Sequence, residues 1–248
     1  MHNLGETRSV QRHNHMLLTA DTFVRTALPG MKACASIVHA GPAMGARFTQ
    51  YTAEFESGGE LGGTNAQRFL YVLEGELTLE IGGRPSRLGT HGFAYLPAGL
   101  AHRVIAAKAS RAAVIEKLYQ PISEAQAPGV IISTEDAVSP EPLDGDPSLQ
   151  VKHLLPDTMS FDFAVNTMVY QPGAALSMVE MHVMEHGLLM LEGGGIYRLG
   201  DSWYPVAAGD FIWMGPWCPQ WFGAIGKVAA KYLIYKDWNR HPLAKPLR

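Results

Sequence analysis

The chain has little cysteine. Cys34 and Cys218 are all it holds, too few for the disulfide framework that staples small secreted folds. It also lacks an excess of charge of either sign. Twenty Lys and Arg stand against 23 Asp and Glu, a formal net charge of −3. No segment is strongly basic, so nothing supports a nucleic-acid or anionic-membrane partner. No apolar run reaches the roughly 20 residues that a bilayer-spanning helix needs. The opening stretch, MHNLGETRSVQRHNH, lacks the apolar middle of a secretion signal. No long amphipathic helical pattern appears either. These absences predict a soluble protein in a reducing, cytoplasmic setting.

What the chain does have is apolar material and turn-formers. Apolar residues make up 47% of its 248 residues, enough for one large core or two of ordinary size. Twenty-six Gly and 16 Pro divide this material into short runs. Examples are FLYVLEGELTLEI (69–81), GFAYLP (92–97), GLLMLEGGGIYRL (187–199) and DFIWMG (210–215). Short runs rich in β-prone residues between turn residues predict strands. The fold class expected is all-β, a sandwich or barrel.

The runs repeat. QRFLYVLEG (67–75) aligns with EHGLLMLEG (185–193), and GFAYLPAGLAH (92–102) with DFIWMGPWCPQ (210–220). The offsets, 193 − 75 and 220 − 102, are both 118. One offset held through two strand–turn–strand units points to a duplicated β-domain. Between the copies, residues 120–150 are proline- and acid-rich and show little strand pattern, which reads as a linker. Residues 1–40 read as an N-terminal extension that packs across one copy or onto a neighbouring subunit.

The stretch VEMHVMEHG, Val179–Gly187, sets Glu180, His182 and His186 among apolar neighbours. All three share strand parity, so in one extended or tightly bent strand they face one side while Val179, Met181 and Val183 pack the other way. A carboxylate and two imidazoles on one face suit a divalent metal. The competing reading is a polar strand face whose histidines are unrelated.

The wider spacing is G-x₆-E-x-H-x₃-H-x₆-G from Gly173 to Gly193, followed by Gly209-x₅-Gly215-x₄-Gln220. It resembles the two motifs of cupins, small β-barrels that hold a metal on inward side chains. The resemblance implies a bicupin of two tandem barrels (double-stranded β-helix or jelly-roll): an N-terminal cupin at 41–120, a linker at 121–150 and a C-terminal cupin at 151–248. The donor types are permuted relative to most cupins, with Glu180 and His182 first, His186 where a Glu is usual and Gln220 in place of the last His.

That permuted set, with EHGLLMLEGGGIYRLGDSWYPVAAGDFIWM, YLIYKDWNRHPL and LLTADTFVRTALPG, is similar to the ureidoglycine aminohydrolase family of purine (allantoin) breakdown. The likeness implies Glu180, His182, His186 and Gln220 as manganese ligands, one Mn²⁺ per chain in the C-terminal cupin; the same donors also accept Fe²⁺, Co²⁺ or Zn²⁺. It implies Tyr197, Tyr232 and Lys236 as substrate-binding residues beside Glu180 and Gln220, with Lys236, Tyr232 and Gln220 nearest the chemistry. Tyr232 and Lys236 share strand parity, so both can face one cavity. A lysine there suits a substrate carboxylate, and phenols suit a ureido group. The competing readings are ordinary strand aromatics and a solvated lysine.

At the 118 offset Glu180, His182, His186 and Gln220 fall on Gly62, Thr64, Arg68 and His102. The first barrel is therefore expected to be metal-free, with His102 structural. The implied reaction converts (S)-ureidoglycine and water to (S)-ureidoglycolate and ammonia. Two other classes remain open here, an iron-dependent cupin dioxygenase and a non-catalytic module that binds a small metabolite. The expected partner is a small ureido amino acid, and a homo-oligomer is expected.

Overall fold

The computed structural model describes residues 6–238. Antiparallel strands dominate, with short 3-10 turns at Ala20–Thr22, Pro42–Met44 and Glu135–Ala137. The chain divides into two compact units. Among the described residues, one holds 24–138 and the other 6–23 together with 139–238.

In the first unit a single sheet runs in the order Ile131–Thr134, Gly92–Leu96, Gln67–Glu74, Ser110–Lys117, Thr49–Leu61, His102–Ile105, Glu76–Ile81 and Arg84–Gly89. Met31–Ala40 pairs with Thr49–Leu61 and carries the short strand Arg25–Thr26. Alternation sets the faces. In Glu76–Ile81, Leu77 and Leu79 are buried while Glu76 is exposed. The inward residues build a core around Tyr51, Leu70, Leu79, Val104 and Val114.

The second unit stacks two sheets. The larger runs Val10–Gln11, His15–Leu18, Phe211–Met214, His186–Glu192, Ala230–Lys236, Ala164–Tyr170, Asp146–His153 and Glu141–Leu143. The smaller has Gly194–Leu199 between Ser202–Ala207 and Gln220–Ala224. Leu188, Met190, Ile212 and Tyr232 of the larger sheet share one core with Tyr197, Leu199 and Phe222 of the smaller. Fully burying a side chain of this size contributes about 1.5–3 kcal/mol, so this layer dominates the unit's stability.

The glycine shared by the two sequence repeats has a steric cause. Gly75 and Gly193 turn the chain between strands at φ 82° and 63°. A Cβ would lie 2.4 Å from Ser110 Oγ at Gly75 and 2.4 Å from the Ala229 carbonyl at Gly193.

The expected extension and linker are absorbed into the sheets. His15–Leu18 pairs with Phe211–Met214, whereas Met31–Ala40 is a full strand of the first unit. The 121–150 stretch contributes Ile131–Thr134 to the first unit, and Glu141–Leu143 and the start of Asp146–His153 to the second. Ile131–Thr134 and Glu141–Leu143 are edge strands, which need backbone donors on one side only. Pro142 is therefore tolerated in Glu141–Leu143, and Ile131–Thr134 is too short to show a pattern.

Candidate metal centre and active site

His186 opens the strand His186–Glu192 and stands in register with Lys236 on one side and Met214 on the other. Directly paired residues on antiparallel strands share a face. The inner face therefore presents layers: His186 beside Lys236, Leu188 beside Ile234, and Met190 beside Tyr232. Lys236 and Tyr232 both point into the barrel, as their parity predicts.

The segment before His186 is not the single strand anticipated. Glu180 forms an isolated antiparallel bridge with Gln220, Glu180 N–H donating to Gln220 O at 2.8 Å and Gln220 N–H returning to Glu180 O at 2.9 Å. The chain then bends at Val183 and Met184. Val179 and Met181 are exposed instead of packed inward. The reason is distance. On a straight strand His182 and His186 would lie about 13 Å apart at ~3.3 Å per residue, too far for one ion. The bend brings their ring centroids to 4.9 Å, and Glu180 Oε2 lies 3.2 Å from His182 Nε2. The bend is pinned by Trp217, whose N–H donates to His182 O at 2.7 Å. Trp217 holds φ 62°, a conformation that a bulky residue adopts only when its surroundings enforce it.

Electrostatics single out the same groups. His186 is fully buried, and neither ring nitrogen has a hydrogen-bond partner. Burial, then the nearby Lys236 ammonium, push its pKa down to about 3, so the ring is neutral and free to ligate. Gln220 Oε1 is likewise buried without a partner. Orphaned buried acceptors are rare because each costs roughly 1–3 kcal/mol. Burial also lowers the pKa of Lys236, partly opposed by Glu180 and Asp157. Tyr197 and Tyr232 are pushed well above the phenol range, first by burial, and stay neutral.

These donors suit a divalent ion. Glu180 and His182 touch, His182 lies against His186, and the fourth donor is an amide oxygen with no other partner. Among the described residues no three His, Cys, Asp or Glu side chains converge into a metal cluster; Glu180, His182 and His186 are neighbours in pairs, with Gln220 bridged to Glu180 through the backbone. Sequence reasoning missed Tyr170, whose hydroxyl shares a 2.8 Å hydrogen bond with that of Tyr232 and whose ring meets Phe222 edge-on. Its only signal was strand parity inside Ala164–Tyr170.

The equivalent place in the first unit is filled differently. Arg68, the counterpart of His186, donates from Nη1 to Gly62 O and to His102 Nε2, each at 2.7 Å. Its Nε donates to Glu116 Oε1 at 2.8 Å, and Tyr51 donates to the same oxygen at 3.0 Å. His102 Nδ1–H donates to Leu100 O, leaving Nε2 as the acceptor.

Two antiparallel β units, each closing its own core and one of them carrying carboxylate, imidazole and amide donors, define a two-barrel protein of the cupin class. The Cupin domain family matches residues 54–116 and 166–235. The chain is 41% identical over 96% of its length, and 78% of the relative's, to "Probable (S)-ureidoglycine aminohydrolase" of Oryza sativa subsp. japonica. It is 38% identical, over 96% of the chain and 80% of the relative, to "(S)-ureidoglycine aminohydrolase" of Arabidopsis thaliana. The crystal structure of a putative glyoxylate-induced protein from Pseudomonas aeruginosa superposes with a TM-score of 0.87 at 30% identity, covering 96% of this chain and 93% of that one. The chain belongs to the (S)-ureidoglycine aminohydrolase family of bicupins.

Proposed function

We propose that this protein is a manganese-dependent hydrolase that converts (S)-ureidoglycine and water to (S)-ureidoglycolate and ammonia. What carries the reading is the donor set of Glu180, His182, His186 and Gln220, with His186 and Gln220 left unpartnered, in a chain whose relatives bear that name. In the reaction a C–N bond at the α-carbon breaks, a C–O bond from water forms, and the amine leaves as ammonia. One divalent ion, in the second unit, would supply Lewis-acid polarisation of the substituents on the reacting carbon.

The side chains divide the remaining work. Lys236, on the inner face beside His186, pairs with the substrate carboxylate and fixes which face of the carbon meets water. A charge-assisted bond in a desolvated site holds better than one in water. The phenols of Tyr197 and Tyr232 are neutral hydrogen-bond donors for the ureido carbonyl. Gln220 cannot ionise and serves as ligand and orienter, never as base. Ammonia release from freshly generated ureidoglycine, with and without added Mn²⁺, tests the whole. Metal-stimulated release is expected, and none with any divalent ion would overturn the reading.

A further inference from the structure

One buried polar group on the inner face of the second unit is unused by this scheme. Asn166 is 2% exposed, and its Oδ1 is buried with no hydrogen-bond partner. It pairs in register with Ile234, which belongs to the barrel core, so the carboxamide faces inward with it. Ile234 sits between Lys236 and Tyr232 along its strand, and Asn166 therefore lies one layer deeper than Lys236. The first unit gives independent support for this direction. There Arg68 pairs with Glu116 and Leu70 with Val114, and Val114 pairs with Tyr51. In the second unit His186 pairs with Lys236, Leu188 with Ile234, and Ile234 with Asn166. Tyr51 thus holds the place of Asn166, and its hydroxyl reaches the central cluster at Glu116.

We propose that Asn166 is a substrate-binding residue whose Oδ1 accepts a hydrogen bond from a ureido N–H. The inference rests on the proposed function and deepens it. A ureido group carries three N–H donors and one carbonyl acceptor. The tyrosine hydroxyls can serve the carbonyl. Lys236 is a donor only, and Glu180 and Gln220 are committed to the metal. An acceptor for N–H is the element the scheme lacks, and Asn166 supplies one at the right depth, beyond the carboxylate anchor. An acceptor left unpaired in the free protein is what a site prepared for a donor looks like. It disfavours compounds lacking that donor, because they leave it buried and unpaired.

The variant Asn166→Leu makes function and stability move apart. Losing the acceptor should reduce kcat/KM for ureidoglycine about tenfold or more. Removing an unpaired buried amide should leave Tm unchanged or raised. A merely structural residue would lose both. Binding gives a second readout. In the metal-loaded wild type, (S)-ureidoglycolate should raise Tm more than glycolate, which lacks the ureido group, and Asn166→Leu should shrink the difference, leaving only what the tyrosines contribute. Asn166→Ala makes the same test if Leu does not fit. A variant that keeps wild-type kcat/KM and the full preference for the ureido compound overturns the assignment of Asn166 alone. A wild type that neither releases ammonia nor distinguishes the two compounds overturns the proposed function, and this assignment with it.

Discussion

His186 shows how burial fits one residue for the metal-binding task proposed for it. Burial without a hydrogen-bond partner holds its pKa down to about 3, so an ion does not compete with a proton for the ring at neutral pH. His186→Ala and His182→Ala should strip bound metal and turnover while far-ultraviolet circular dichroism keeps its β signature. Elemental analysis of wild type should give about one ion per chain. Full activity in His182→Ala with metal retained would refute the ligand set. Lys236→Met keeps the stem and removes the charge. A hydrogen bond to a charged group is worth roughly 1.5–3 kcal/mol, so kcat/KM should fall about ten- to a hundredfold. Lys231 stands on the opposite face, with Glu192 4.0 Å away. Lys231→Met should retain activity, and equal activity in the two variants would deny Lys236 its role.

At the scale of elements, the turn glycines carry the sharpest expectation. Gly193→Ala forces a Cβ against the Ala229 carbonyl, 2.4 Å away, at φ 63°. Backbone must move, beyond the ~1–2 kcal/mol that the left-handed conformation costs. Tm should drop by several degrees, read by calorimetry, and an unchanged Tm would mean the turn is more pliant than its geometry. That glycine was legible in the sequence because a two-strand repeat with a clean offset marks it. So were the strands around it, since alternating apolar residues such as Leu77 and Leu79 declare their period. The edge strands Ile131–Thr134 and Glu141–Leu143 were not, because one is four residues long in a proline- and acid-rich stretch and the other carries Pro142, which an edge tolerates. Among the proposed site residues, Glu180, His182 and His186 stood out by type and spacing, whereas Gln220, Tyr197, Tyr232 and Lys236 entered through the family resemblance. The bend at Val183–Met184 was not legible, because tertiary hydrogen bonds from Trp217 and Gln220 impose it and no local turn residue announces it. Asn166 and Tyr170 offered only strand parity, since a lone polar or aromatic residue in a strand gives no sign of which sheet it will face.

Over the whole molecule, buried histidines set the response to acid. His186 and His39 are both held near 3, first by burial, against about 6.5 when unfolded. Below 6.5 the unfolded chain takes up protons that the folded chain refuses. Stability is therefore full above that value and declines as pH falls from 6.5 toward about 3, by up to ~1.4 kcal/mol per pH unit for each such ring. Urea midpoints at pH 7 and pH 5 should differ accordingly, and His39→Gln should show the shallower decline. If both proteins lose stability equally, His39 is not among the rings responsible. The first unit has an independence that the second lacks. Arg68 places a guanidinium among Gly62, His102 and Glu116, at the register position that the second unit gives to His186. A cation bonded to the chain cannot be extracted, exchanged for the wrong metal or starved of supply. On the proposed function, chelation should therefore age the two halves unequally, loosening the second unit first while its sibling, carrying its own permanent ion, stays as it was made.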